Sequence, residues 1–188
     1  MGYKLEERYK LIRETVIVSK SKNPIEIAKI VMANDFVNMH GPEHHFLDGA
    51  VFLVAYKNSG GDIDLDKSLQ QLAMRAIEMP GGICGYWGVC GSLASIGASL
   101  SIIHDTNALS NDDFYKDHME YTSSVLQKMS EIGGPRCCKR NAFISITTAV
   151  DFVNKKYKVE MEKDAVVCNF YRFNSDCIKN RCPFYKAN

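Results

Sequence analysis

The sequence predicts an all-α protein: a single compact helical domain with glycine- and cysteine-rich loops and a cysteine-bearing C-terminal segment. Three observations point there. Apolar residues recur at three- and four-residue spacings through seven stretches. Helix-start signals stand ahead of some of them, as at Asn23-Pro24 and Asn111-Asp112-Asp113. Breakers at Gly41-Pro42, Pro80-Gly81-Gly82 and Gly133-Gly134-Pro135 then end others. At 188 residues, 46% of them apolar, the chain can bury one real core. We place the helical core at residues 1–160 and a cysteine-rich appendage, packed on the same domain, at 161–188.

Residues 4–18 align Leu5, Tyr9, Ile12 and Val16 on one helical stripe. Asn23 caps a second helix, opened by Pro24, that carries Ile27, Ile30, Val31 and Phe36 and fades near Asn38. Pro42 opens a third, running to about Asn58. On it His44 and Asp48 share a face, while His45 points roughly 100° away. A turn at Asn58–Asp62 precedes a helix over 66–79 with Leu69, Leu72, Ala73, Ala76 and Ile77 inward. The run from Ser92 to His104, rich in Ala, Ser and Gly, reads as a central helix that lets neighbouring backbones come close. A long helix follows from Asp113 to about Ile132, with Phe114, Met119, Val125, Leu126 and Met129 as its apolar face and His118 as an ordinary surface or packing residue. The last begins after Arg140 and reaches about Asn154.

The joints between these helices hold the chemistry. Met79–Ser92 contains Cys84, Cys90, five of the thirteen glycines and the only tryptophan, Trp87. Glycine this dense points to positive φ angles or close backbone approach. Cys90, ahead of a helix, would have its thiolate favoured by the helix dipole. Trp87 either packs in the core or roofs a site. Cys137 and Cys138 sit among Arg136, Lys139 and Arg140, cations that lower a thiol pKa and attract anions. Cys168, Cys177 and Cys182 form a C-x8-C-x4-C-P tail, and a cysteine before proline is a feature of cluster-binding ends.

Three of the five histidines, His40, His44 and His45, lie within six residues beside Glu43 and Asp48. They are read equally as structural residues and as ligands or a proton relay. His40–His44 spells the H-x-x-E-H string of inverted zinc peptidases, which requires one continuous helix. Gly41-Pro42 interrupts it, so that reading is set aside.

Composition excludes several classes. The 23 basic and 22 acidic residues leave a net charge of +1, no field for a nucleic-acid backbone. No apolar run approaches the roughly 20 residues of a membrane span, and the first residues lack the apolar core of a signal peptide. The expectation is a cytoplasmic protein. In a reducing compartment, seven cysteines argue for metal or thiol chemistry rather than disulfides.

On the strings His40–His45, Pro80–Gly91 and Pro135–Arg140, with the Cys177–Pro183 end, the chain resembles the domain of unknown function 5714 family. The resemblance covers most of the chain from about residue 24. Val89-Cys90-Gly91-Ser92 gives a looser similarity to redox proteins with a C…GCAxxG…C…C pattern, although Cys-Gly-Ser replaces Gly-Cys-Ala. The first resemblance implies a metal- or sulfur-linked role in anaerobes, with a redox or methyltransferase-type protein as partner.

Three readings follow. The first is an iron–sulfur or other metal protein for electron or sulfur transfer, with Cys84, Cys90, Cys137 and Cys138 converging and Cys168, Cys177 and Cys182 forming a second group. The second is a structural zinc module with the same ligands. The third is a metal-free thiol enzyme with Cys84 or Cys90 as nucleophile, His44, His45 or His104 as base and Arg136 holding an anion. Arg136 and Trp87 are the candidate anion or substrate contacts.

Overall fold

In the computed structural model, which describes residues 2–186, the described residues form eight α-helices and two 3-10 turns, with no strand. The predicted limits at residues 1, 187 and 188 lie outside the described residues. The helices are α1 (Leu5–Ile17), α2 (Pro24–Met32), α3 (His44–Asn58), α4 (Leu65–Ile77), α5 (Ile83–Tyr86), α6 (Gly91–Ile103), α7 (Asp113–Ile132) and α8 (Cys138–Tyr157).

α3 is the hub. Every residue from His44 to Tyr56 is buried, so it has no polar face, and α1, α2, α4, α6 and α8 pack around it. α6 packs against α3, α4, α7 and α8. The small residues make that possible: Gly49 of α3 meets Ser95 and Ser99 of α6, and the Ser95 hydroxyl accepts the Gly49 N–H at 2.9 Å. A methyl group at Gly49 would stand 2.5 Å from Ser99 Oγ.

Several boundaries differ from the sequence reading, each for a local reason. α2 stops at Met32 rather than near Asn38, because the Asn34 amide turns back to the Ile30 and Val31 carbonyls at 2.9 and 3.2 Å. Ile30 faces solvent, 56% exposed. Pro42 forms a turn ahead of α3, with His45 N–H on the Pro42 carbonyl at 2.9 Å, and His40 lies outside the helix. The long helix α7 buries Asp117, His118, Tyr121 and Val125, leaving Met119 exposed and Phe114 and Leu126 partly so. The buried polar groups there are paired: Asp117 accepts from Lys156 Nζ at 2.7 Å and Tyr157 Oη at 3.0 Å. His118 bonds Thr106 Oγ1 and His104, both at 3.1 Å. α8 starts earlier than predicted, at Cys138, so Lys139 and Arg140 are buried in its first turn.

Beyond α8 the described residues form only the 3-10 turns Tyr171–Phe173 and Lys179–Arg181. Val166, Cys168, Phe170 and Phe184 pack on the helical core. The Cys168 N–H bonds the Phe184 carbonyl at 2.8 Å, closing the tail on itself. No helix of the described residues is long and apolar enough to cross a membrane.

Candidate functional site

All seven cysteines are free thiols and partly buried. They form two adjoining groups at one end of α3 and α8. Cys137, Cys168, Cys177 and Cys182 line a cavity of about 20 Å³ with Met39, Asn174 and Phe184. Cys84, Cys90 and Cys138 line a neighbouring cavity of about 150 Å³ with His40, His44, His45 and Ser92. Cys137 borders both. The sequence reading joined Cys137 to Cys84 and Cys90; the fold also brings it to the tail cysteines.

Hydrogen bonds to sulfur mark several of these thiols. Cys137 caps α8, its Sγ accepting the Arg140 N–H at 3.4 Å and the Asn174 amide at 3.7 Å. Cys177 Sγ accepts the Lys179 N–H at 3.4 Å. Cys90 Sγ accepts the Asn141 amide at 3.2 Å. Such donors suit thiolate more than thiol, and they tune metal-bound sulfur. Burial acts the other way. It pushes the Cys90, Cys137 and Cys168 thiols up, and Cys138 up to about 12, with smaller opposing contributions from nearby N–H groups. The expected lowering by the α6 dipole and by Arg136, Lys139 and Arg140 is therefore outweighed. Arg140 is occupied with the Gly133 and Pro135 carbonyls at 3.1 and 3.0 Å.

The histidines have distinct surroundings. His40 ties the tail to the core: Nε2 pairs with Asn174 Oδ1 at 3.2 Å and Nδ1 meets the Cys138 N–H at 3.5 Å. His44 links Asp48 to Lys139, with Nδ1 3.3 Å from Asp48 Oδ1 and Nε2 3.3 Å from Lys139 Nζ. Lys139 also donates to the Asn38 carbonyl at 3.0 Å, and burial lowers its pKa to about 8. Sequence reasoning placed His44 and Asp48 on one face and missed the lysine, whose position depends on α8 crossing the entrance of α3. His45 places Nδ1 3.1 Å from the Met79 carbonyl, while its Nε2 makes no hydrogen bond among the described residues. Its ring lies against Gly91, where a Cβ would stand 2.3 Å from Nε2. Burial lowers the pKa of His40 and His45.

Trp87 lines neither cavity and is 67% exposed, so it is not a core residue. Arg136 borders the larger cysteine cavity and is exposed. Among the described residues no three His, Cys, Asp or Glu side chains are gathered tightly enough to hold a single metal ion.

The fold and this site define an all-α protein whose seven cysteines and three of whose five histidines collect at one end of a buried helix. The family of unknown function DUF5714 matches residues 12–185, and the chain belongs to it. No curated protein and no solved structure matches the chain.

Proposed function

We propose that this is an iron–sulfur protein of the reducing cytoplasm. Its cluster is held by Cys137, Cys168, Cys177 and Cys182, and its role is electron transfer. The observation that carries the reading is that four thiols from three separate segments line one small cavity. Around a single tetrahedral ion, four sulfurs stand ~2.3 Å from its centre. Among the described residues no donor trio is tight enough for one ion. A cluster, whose thiolates bind different irons, does not require its four donors to crowd one centre. The N–H groups on Cys137 and Cys177 suit it too.

Four protein thiolates leave no open coordination position, which suits electron exchange with a redox partner better than chemistry on a substrate. A metal-free thiol enzyme is less well supported. Among the described residues no histidine nitrogen bonds a cysteine sulfur, and His44 is engaged by Asp48 and Lys139. A structural zinc centre is favoured by one feature, a tail with little regular structure of its own.

Iron, acid-labile sulfide and zinc measured on protein purified without oxygen test the proposal. Iron with equimolar sulfide is the expected result. Zinc alone would move the protein to the structural class, and neither metal after reconstitution would leave the thiol enzyme.

A further inference from the structure

Beside the cysteine cavities lies an open cleft of about 670 Å³, within the range of about 300–1,000 Å³ found for small-molecule sites. One wall is the glycine-rich loop with Tyr86; the other is the end of α7, with Leu126 and Met129. Its charged lining residues are Arg136 and Arg140, with no carboxylate among them. Arg140 is spent on backbone carbonyls, whereas the Arg136 guanidinium has no hydrogen bond or ion pair among the described residues. Cys84, Cys90, Arg136 and Asn141 border both this cleft and the cavity holding His45 and Ser92. Inside that cavity Ser92 is 3% exposed, yet its hydroxyl has no partner among the described residues. His45, 7% exposed, makes no hydrogen bond through Nε2 among the described residues.

We infer that the cleft binds a small organic anion: an apolar body against Leu126 and Met129, an anionic group on Arg136, and a polar end that reaches Ser92 and His45. Three features converge. The cleft has a single uncommitted cation and no acidic residue, so it selects negative charge. Its apolar wall gives an organic body a surface to cover. At the inner end the buried Ser92 hydroxyl lacks a partner among the described residues and the His45 Nε2 makes no hydrogen bond there, and a ligand group supplies a partner for both. The site does not depend on the cluster, because none of these contacts uses Cys137, Cys168, Cys177 or Cys182.

Trp87, between the cleft residues Tyr86 and Gly88, is the chain's only tryptophan and serves as the reporter. Protein purified without oxygen is titrated with phenyl phosphate, benzylamine and benzyl alcohol while tryptophan emission is followed. The expected result is a saturable change with phenyl phosphate alone. Arg136→Gln should weaken it about tenfold, the value of one charge-assisted contact. Leu126→Trp, read by calorimetry because it adds a fluorophore, should remove binding by filling the cleft. Equal binding of the three probes, or unchanged affinity in Arg136→Gln, would overturn the proposal; so would no binding of phenyl phosphate. Metal content measured on each variant separates loss of this site from loss of the cluster.

Discussion

Gly91→Ala is the sharpest structural test of how His45 is held. Gly91 opens α6 against the Cδ2–Nε2 edge of the His45 ring, and the added methyl would lie 2.2 Å from Cδ2 and 2.3 Å from Nε2. Ordinary contact begins near 3.4 Å, so ring and backbone must separate by about an ångström. The ring has little freedom, since it is 7% exposed and its Nδ1 is held by the Met79 carbonyl at 3.1 Å. Overpacking costs about 1–3 kcal/mol, and losing the buried hydrogen bond adds about 1 kcal/mol. The expected loss is therefore about 2–4 kcal/mol. At a urea slope of about 2 kcal/mol per molar, the midpoint falls by about 1–2 M. Gly97→Ala, in the same helix, is the control. Its methyl meets only Thr122 Cγ2 at 2.9 Å, and the gain in helix propensity, about 1 kcal/mol, offsets that contact. His45→Ala should relieve the clash, making the double variant less unstable than the sum of the two. If Gly91→Ala is as mild as Gly97→Ala, or if the cycle is additive, the account of a pinned ring is wrong.

Further outcomes follow from other contacts. Lys139→Met should cost about 1–3 kcal/mol in urea unfolding, because it leaves His44 Nε2 buried without a donor and removes the partly buried bond to the Asn38 carbonyl. His104 packs on Phe114 and His118, and burial lowers its pKa from 6.5 to about 4. The unfolded chain then binds a proton that the folded chain resists, so stability falls as pH drops from 6.5 through 4. The loss is at most about 3 kcal/mol and less with solvent screening. In His104→Phe the part of the acid sensitivity due to this ring should vanish, which urea midpoints at pH 7.5 and 4.5 will reveal. Stripping the proposed cluster should loosen the tail: trypsin should then cut at the exposed Arg172 or Lys179 while α1–α8 stay intact. Equal resistance before and after stripping would deny the cysteines a part in holding the tail.

Much of the fold was legible in residues 4–132, because helix periodicity and caps are local signals. Asn23 and Asp112 cap α2 and α7 as expected, receiving backbone N–H groups from Ile25 and Tyr115. What escaped were features set by tertiary pairing. Phe114, Met119 and Leu126 suggested a face for α7 and only its Val125 is fully buried as expected; the buried face also holds Tyr121 and the polar Asp117 and His118, each satisfied by residues distant in sequence. Short α5 had too few residues to show a period. The candidate site divides the same way. Cysteine density and the histidine cluster were visible from residue types alone. That Cys137 also borders the tail cavity was not, since 31 positions separate it from Cys168, the nearest tail cysteine along the chain, and only the return of the tail over α8 joins them. Nor could spacing reveal that His40 is occupied by Asn174, or that Lys139 occupies His44.

The most direct test of the central claim is iron and acid-labile sulfide per chain, measured without oxygen, in single Cys→Ser variants at each of the seven positions. The account predicts loss of both at Cys137, Cys168, Cys177 and Cys182, and retention at Cys84, Cys90 and Cys138. Loss confined to Cys84, Cys90 and Cys138, with the tail variants fully loaded, would contradict it.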